Sequence, residues 1–239
     1  MSADLSGKVV LVAGGTGGLG RSVSLAFLNC GATVAVTWRH QKEFDALRNA
    51  AGNAANRMAG FETDVTDAQA AADLVSQLLS RFTHLDVLVN TVGGYAGGIP
   101  LWQLEPHVFE RMIDLNLRAA YALAKAVAPA MIARNSGAII NVAAKAAWDH
   151  AAGASAYAAT KAAAVALMDS LAADLIGTGV RVNSILPGII DTDANRHAMP
   201  KADFAKLPKP EEIANVILFL ASDDARVVHG AAVPVFGNG

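Results

Sequence analysis

A tyrosine and a lysine stand four residues apart in the segment ASAYAATKAAAVALMDSLAADL, as Tyr157 and Lys161. In a helix, this spacing places both side chains on one face. A lysine ammonium beside a phenol favours the phenolate, so the pair predicts a lowered pKa for Tyr157 and a phenol that donates a proton to a developing alkoxide. Such a pair is also typical of an ordinary exposed helix, so the surrounding elements must decide between the two.

A glycine-rich turn follows the first apolar run, in the sequence AGGTGGLG. Without Cβ atoms, the backbone amides of such a turn can approach a pyrophosphate at a helix N-terminus. A tight turn without a ligand is the alternative, but the position between a first strand and a first helix favours a dinucleotide site. The predicted contact residues are Gly14, Thr16, Gly17, Gly18, Leu19 and Gly20.

The residues that follow the second apolar run, ATVAVTWRH, indicate which dinucleotide is bound. An acidic residue here, about 20 residues beyond the glycines, binds the 2′-hydroxyl of NAD. The chain has Trp38 and Arg39 instead, with no carboxylate to repel a phosphate, and His40 and Lys42 add positive charge. The guanidinium of Arg39 fits the 2′-phosphate of NADP(H), and Trp38 can flank the adenine. The sequence favours NADP(H) over NAD(H), with a solvated basic cluster as the alternative.

Two later segments, TDVTD and LVNTVGG, supply further candidates because each follows an apolar run. Asp64 can accept from the adenine amino group, or Asp64, Thr66 or Asp67 can cap the following helix. In LVNTVGG the backbone must pass close to the cofactor, and the asparagine is expected to be structural support. The additional cofactor candidates are Val65, Asn90 and Gly93.

Short apolar runs rich in valine and isoleucine alternate with longer helical stretches. They predict strands at 8–13, 33–37, 58–62, 85–90, 137–142, 180–185 and 232–235, and helices at 18–29, 41–51, 67–81, 104–133, 155–176 and 211–221. The pattern predicts an α/β fold: a single-domain Rossmann-type three-layer α/β/α sandwich over residues 1–239, with a mostly parallel seven-stranded sheet. Ligands then bind beyond the carboxyl ends of the strands, with 186–209 as the substrate loop.

Composition limits the classes of partner. A net charge of −2 and a pI of 6.3 give no basic stripe for nucleic acid or an anionic membrane surface. Cys30 is the only cysteine, which excludes an intrachain disulfide and a cysteine-based metal site. No segment predicts a leader or a spanning helix. We expect a cytoplasmic protein with a small-molecule substrate and no metal.

Taken together, the segments resemble the short-chain dehydrogenase/reductase family nearly end to end, through AGGTGGLG, TDVTD, LVNTVGG, DLNLRAAY, GAIINV, Tyr157-x-x-x-Lys161, RVNSILPGIIDT and LFLASDDARVVHGAAVPVFG. The resemblance implies an NAD(P)H-dependent oxidoreductase. It makes Tyr157 the acid/base, Lys161 the residue that binds the nicotinamide ribose and tunes the tyrosine, and Asn116 the holder of a proton-relay water. It also implies nicotinamide contacts from Pro187, Gly188, Ile190 and Thr192, and a homodimer or homotetramer formed through 104–133 and 155–176.

The chain departs from the family pattern at one catalytic position. The family's serine lies thirteen residues before the tyrosine, and the matching residue here is Ala144. Alanine cannot donate the hydrogen bond that orients a ketone oxygen, a contact of the kind that contributes a few kcal/mol in a transition state. Ser155 is close in sequence, and whether it replaces the missing hydroxyl is left open.

The dihydropteridine reductase branch of the family also carries alanine at this position, and GGYAGG and LPGIIDTDANRHAMPKADF resemble it too. A quinonoid pterin accepts hydride into a planar conjugated system, so an alcohol-orienting serine is less needed. The resemblance implies that Tyr95, Trp102 or Trp148 stacks on a flat ring, although each can equally pack a loop. Arg39 departs from the acidic residue usual in that branch.

Three functions follow as hypotheses. The first is a pterin-type reductase and the second is a reductase of ketones or 3-oxoacyl groups. The third, from another class, is a dinucleotide-binding regulator without catalysis. A binding module has little use for the proton chemistry of Tyr157 and Asn116, which favours the two enzymes.

Overall fold

The computed structural model describes residues 4–237, and its strands form one sheet. The strands are β1 (Val9–Ala13), β2 (Thr33–Trp38), β3 (Met58–Glu62), β4 (Val87–Asn90), β5 (Gly137–Val142), β6 (Val180–Pro187) and β7 (Ala231–Val235). They lie in the order β3-β2-β1-β4-β5-β6-β7, and every neighbouring pair is parallel. The strand order reverses between β1 and β4, which is where this topology opens a crevice for ligands.

Helices connect the strands as the alternating pattern predicts. They are α1 (Gly18–Asn29), α2 (Gln41–Ala51), α3 (Ala68–Phe82), α4 (Pro106–Ile113), α5 (Ala119–Ala133), α6 (Ser155–Asp174), α7 (Asp193–Ala198) and α8 (Pro210–Ala221). The predicted helix 104–133 is two helices joined by a π-helical turn, Asp114–Arg118. The predicted loop 186–209 contains α7. Within residues 4–237, no helix is long and apolar enough to cross a membrane.

The core lies on both faces of the sheet because its strands are apolar throughout. In β1, Val10 and Val12 pack in a cluster with residues of α1, α2 and α8. Val9, Leu11 and Ala13 point to the opposite face and pack with residues of α3, α5 and α6. The two clusters confirm the three-layer α/β/α prediction. The carboxyl ends of β1 to β6 are left as the edge on which a site can be built.

Candidate active site

The glycine turn after β1 is held in a compact form by two hydrogen bonds. Gly14, at φ 73°, donates its N–H to Thr37 Oγ1 at 2.8 Å, and Thr91 Oγ1 donates to the Ala13 carbonyl at 2.7 Å. A Cβ on Gly20 would collide with the Gly14 carbonyl oxygen, so only glycine allows α1 to start so close to the turn. Gly17, Gly18 and Gly20 carry no side chains at the start of α1, an arrangement that fits a pyrophosphate.

A cleft of about 270 Å³ lies beyond the carboxyl ends of β1, β2, β3 and β4. Seven predicted cofactor residues line it: Gly14, Thr16, Gly17, Arg39, Asp64, Val65 and Gly93. Asn90 is buried below it, where its Nδ2 donates to Asn141 Oδ1 at 2.9 Å and its Oδ1 accepts from the Val92 N–H at 3.1 Å. These bonds agree with the expected supporting role of Asn90.

The cleft carries more negative charge than the sequence suggests. Glu43, in the first turn of α2, lines the cleft, and its Oε2 accepts from the Thr16 hydroxyl at 3.1 Å. The expectation that no carboxylate stands near Arg39 is therefore wrong, because α2 turns back over the end of β2 and brings Glu43 to the glycine turn. Asp64 lines the cleft as well.

Asp64 and Trp38 each have a structural partner at the rim. The Asp64 carboxylate accepts from the N–H and hydroxyl of Thr66 at 3.0 and 2.7 Å. These bonds, with a smaller effect of Arg39, hold the pKa of Asp64 below its usual value. Of the three candidate caps, Asp67 is the one that caps α3, since its side chain accepts from the Ala70 N–H. The Trp38 ring stacks on Phe44 at 5.8 Å, so one face of the indole is not free for adenine.

The candidate catalytic residues come together where α4, α5 and α6 meet the end of β5. Asn116 lies in the π-helical turn, a feature frequent at functional sites. Its Oδ1 accepts from the Gly94 N–H at 2.9 Å, and its Nδ2 donates to the Gly94 carbonyl at 3.1 Å and to Thr160 Oγ1 at 3.2 Å. A Cβ on Gly93 would lie 3.0 Å from both Asn116 Oδ1 and Lys161 Nζ, so these groups surround one small space.

Tyr157 and Lys161 lie on the same face of α6, as their spacing predicts. Lys161 is buried, its Nζ donates to the Val142 carbonyl at 3.0 Å, and the Nζ lies 6.0 Å from the centroid of the Tyr157 ring. Burial lowers the pKa of Lys161 to about 8, because removal of water disfavours the ammonium. The ammonium is thus bound at the end of β5 and faces the tyrosine ring.

The lowered pKa expected for Tyr157 is wrong in this structure. Burial raises the pKa of Tyr157 to about 12, and the phenol of Tyr95 contributes in the same direction. The physical reason is that burial removes water from the phenolate, while the Lys161 ammonium donates to the Val142 carbonyl and not to the phenol oxygen. At neutral pH the phenol is fully protonated and available as a donor.

No side-chain hydroxyl stands at the serine position. Ala144 is buried near the start of the loop after β5. The Ser155 hydroxyl oxygen is itself buried and has no hydrogen-bond partner, so it does not face the cleft. Tyr95 is 69% exposed and packs edge-to-face on Tyr157, with ring centroids 5.0 Å apart. Trp148 is also exposed. Of the candidate stacking residues, Tyr95 is the one in contact with Tyr157.

The nicotinamide candidates follow β6. Thr192 meets the glycine turn, since a Cβ on Gly18 would lie 3.1 Å from Thr192 Cγ2. Thr192 also caps α7 by accepting from the Asn195 N–H at 3.3 Å. Pro187 ends β6, Gly188 follows directly, and the Ile190 side chain packs against the core. This segment therefore reaches the start of α1 from the opposite side of the crevice.

Three functional positions are not found by sequence reasoning: Thr37, Glu43 and Thr160. Thr37 anchors the glycine turn, and Thr160 supports Asn116. Thr160 stands one residue before Lys161 on α6, and its own hydroxyl donates to the Ala156 carbonyl at 2.8 Å. Only its position in the Tyr-x-x-x-Lys segment could have signalled it. Across residues 4–237, no group of three or more metal-ligating side chains is arranged to hold a metal ion.

Comparison with known proteins extends these observations. The sequence model of the family described as short chain dehydrogenase matches residues 8–203. The 3-oxoacyl-[acyl-carrier-protein] reductase FabG of Thermotoga maritima is 30% identical, over 98% of this chain and 98% of its own. The D-threitol dehydrogenase of Mycolicibacterium smegmatis is 34% identical, over 98% of this chain and 93% of its own.

Solved structures of similar proteins also match nearly the whole chain. The structure titled "ElxO with NADP Bound" has a TM-score of 0.90 and 25% identity, covering 95% of this chain and 96% of that chain. A structure of a putative short-chain dehydrogenase/reductase from Burkholderia xenovorans has a TM-score of 0.90 and 32% identity, covering 98% of this chain and 97% of that chain. Relatives in both sequence and structure thus extend over nearly the whole chain.

Proposed function

This chain belongs to the short-chain dehydrogenase family and is an NAD(P)H-dependent oxidoreductase. On that premise, we propose that it transfers hydride between NADP(H) and a small substrate that is either planar or a carbonyl compound. The substrate would lie under the segment 186–209. The observation that carries the catalytic part is the convergence of Asn116, Tyr157 and Lys161 beside Gly93. A dinucleotide-binding regulator is disfavoured, because binding alone has no use for a protonated phenol in that place.

The glycine turn and the cleft would hold the dinucleotide. Arg39, exposed at the end of β2, supports the 2′-phosphorylated form because its planar guanidinium can bind a phosphate with two hydrogen bonds. ElxO, one of the structural relatives, is described with NADP bound. When bound, NADPH supplies the hydride, and its nicotinamide end would lie against the Pro187, Gly188, Ile190 and Thr192 segment.

We expect Arg39→Ala to weaken NADPH binding about 10- to 100-fold, because charge-assisted hydrogen bonds to the 2′-phosphate are lost. NADH binding should stay nearly unchanged, since NADH carries a hydroxyl at that position. Isothermal titration of both dinucleotides measures the two affinities directly. Arg48→Ala, on α2 and outside the cleft lining, removes the same charge and is the control. Equal loss for both dinucleotides would contradict a role for Arg39 in phosphate recognition.

In the proposed reaction Tyr157 donates its phenolic proton to the substrate atom that gains negative charge. The raised pKa keeps the phenol protonated at neutral pH. Lys161 is bound to the Val142 carbonyl, and its Nζ lies 6.0 Å from the centroid of the tyrosine ring. Its positive charge makes release of the proton easier than a neutral neighbour would. Asn116 hydrogen-bonds the backbone of Gly94 and the hydroxyl of Thr160, and so holds the loop after β4 against α6.

Ala144 supports a planar conjugated acceptor such as a quinonoid dihydropterin. A ketone needs a donor to fix its oxygen, and neither Ala144 nor the buried Ser155 hydroxyl offers one. A flat ring is oriented by stacking, and Tyr95 and Trp148 are exposed aromatic side chains in the loops after β4 and β5. We propose that an aromatic side chain of one of these loops orients the substrate.

A second candidate is a carbonyl reductase or alcohol dehydrogenase. The relatives favour it, since the names of two of them describe a 3-oxoacyl reductase and a polyol dehydrogenase. Oxidation of NADPH, followed at its absorbance maximum with a quinonoid dihydropterin, a quinone, a simple ketone and a 3-oxoacyl thioester, separates the two candidates. If none of the four compounds were reduced although NADPH bound tightly, both proposed reductase functions would be refuted.

The substitution Ala144→Ser tests the substrate assignment. It restores a hydroxyl at the position that orients a ketone, so we expect ketone reduction to rise about 10-fold while reduction of the flat acceptor does not rise. Ala143→Ser places a hydroxyl one residue away on an equally buried side chain and controls for general disturbance. A wild-type enzyme that reduces ketones faster than the flat acceptors would instead support the carbonyl candidate.

We also propose a homodimer or homotetramer. Phe109, Tyr121 and Ile132 are large apolar side chains exposed on α4 and α5, within the segment predicted to make subunit contacts. Large apolar side chains that together form an exposed patch mark interaction surfaces. Light scattering that gave only the mass of one chain would refute the proposal.

A further inference from the structure

Glu43 and Arg39 present opposite charges to the same cleft. Arg39 follows β2, and Glu43 lies four residues later in the first turn of α2. Both line the cleft, and the structure forms no ion pair between them. Glu43 instead accepts from the Thr16 hydroxyl at 3.1 Å, so its carboxylate extends from α2 to the glycine turn.

Helix capping does not account for this orientation. A glutamate at the third position of a helix commonly accepts from the backbone N–H of the cap residue. The chain does this in α8, where Glu212 Oε2 accepts from the Lys209 N–H at 2.7 Å. In α2 the cap residue His40 has no such partner, and Glu43 turns to Thr16 across the cleft. The orientation of the Glu43 side chain is therefore set by its contact with Thr16 in the cleft and not by helix capping.

The charge at this end of the cleft is negative. Asp64 is ionised, because its bonds to Thr66 lower its pKa. The cleft holds the cation of Arg39 against the carboxylates of Glu43 and Asp64. A phosphate monoester brings a charge of about −2 at neutral pH. A phosphate that approaches Arg39 is thus repelled by Glu43, whereas a ribose hydroxyl can donate to the same carboxylate.

We infer that Glu43 is a specificity-determining residue that opposes Arg39, lowering the affinity for a 2′-phosphorylated dinucleotide relative to the unphosphorylated one. The inference rests on the proposed dinucleotide function. It does not depend on which dinucleotide the wild-type protein prefers, because it concerns the direction in which Glu43 changes the ratio of affinities.

The test is Glu43→Gln, which removes the charge and keeps an oxygen that can accept from Thr16. Isothermal titration with NADPH and NADH should show NADPH binding about 5-fold tighter than in the wild type, with NADH binding equal or weaker. In about 1 M salt, where the Debye length is about 3 Å, the gain for NADPH should shrink. A purely structural effect of the substitution would not depend on salt in this way.

Asp45→Asn is the matched control. Asp45 lies on the same helix, carries the same charge and accepts from Gln41 Nε2 at 2.9 Å, but it does not line the cleft. An unchanged affinity ratio in Glu43→Gln, or an equal change in Asp45→Asn, would overturn the inference. If Arg39→Ala leaves NADPH binding unchanged while Glu43→Gln strengthens it, the proposed role of Arg39 in phosphate binding is wrong. The role of Glu43 in lowering the affinity for NADPH is then still supported. If neither dinucleotide binds any variant, both are overturned.

Discussion

Replacement of Tyr157 by phenylalanine should lower the catalytic efficiency of the protein about 1,000-fold. Phenylalanine keeps the ring and its edge-to-face contact with Tyr95 but removes the hydroxyl that donates the proton. We expect the fold to tolerate the substitution, because the Tyr157 hydroxyl is already poorly hydrated and its removal costs little solvation. Steady-state kinetics with the best acceptor of the substrate panel measures the loss.

The affinity for NADPH should change little in Tyr157→Phe, because the glycine turn and Arg39 are untouched. Tyr121→Phe removes a hydroxyl from an exposed tyrosine on α5, whose partner is Lys125, and should keep full activity. A Tyr157→Phe enzyme with nearly wild-type turnover would show that another group supplies the proton. The assignment of Tyr157 as the acid would then be wrong.

Much of the fold is predictable because its signals are local. The apolar period and the glycine turn place α1 at 18–29 and α2 at 41–51, and both helices have these bounds in the structure. The runs of valine and isoleucine indicate strands buried on both faces, and the sheet is parallel throughout. Helix α7 is missed because it is one short helix in a segment without apolar period.

The chemistry of the site is less predictable because it depends on distant contacts. The π-helical turn at Asn116 accompanies bonds to Gly94 and Thr160, which lie on other segments. Glu43 meets Thr16 only after α2 has folded back over the end of β2. Neither contact has a spacing that a sequence pattern would reveal.

The two pKa values of the central pair illustrate the same limit. Spacing correctly places Tyr157 and Lys161 on one face, but spacing does not report burial or the position of Tyr95. Desolvation moves the two pKa values in opposite senses: the pKa of the tyrosine rises to about 12, away from neutral pH, and the pKa of the lysine falls to about 8, towards it. Lysine is therefore the member of the pair whose charge changes nearest to neutral pH.

Lys161→Met should lower turnover about 100- to 1,000-fold, because it removes the positive charge beside Tyr157 and the amino group that would contact the nicotinamide ribose. Methionine has nearly the same length and fills the buried space without a charge. Kinetics at saturating NADPH, together with the affinity for NADPH, separate the loss of chemistry from the loss of binding. Lys125→Met, on the exposed face of α5, should have no effect on turnover.

The same substitution should change how stability depends on pH. In the folded protein without dinucleotide the pKa of Lys161 is lowered to about 8, below its ordinary value of 10.5, so between these values the unfolded state binds more protons. The free energy of unfolding then rises with pH wherever the unfolded state holds more protons. From pH 8 to pH 10 the wild type should gain about 2 kcal/mol relative to Lys161→Met.

Urea unfolding of both proteins at several pH values measures this difference. The comparison is limited to pH 10 because the raised pKa of Tyr157 makes the folded state bind more protons above that pH, which acts in the opposite direction. Both proteins contain Tyr157, so its contribution largely cancels in the difference. A constant difference between pH 8 and pH 10 would show that the lysine titrates at its ordinary pKa. The ammonium of Lys161 would then be hydrated, and the buried site that positions Tyr157 would not exist as described.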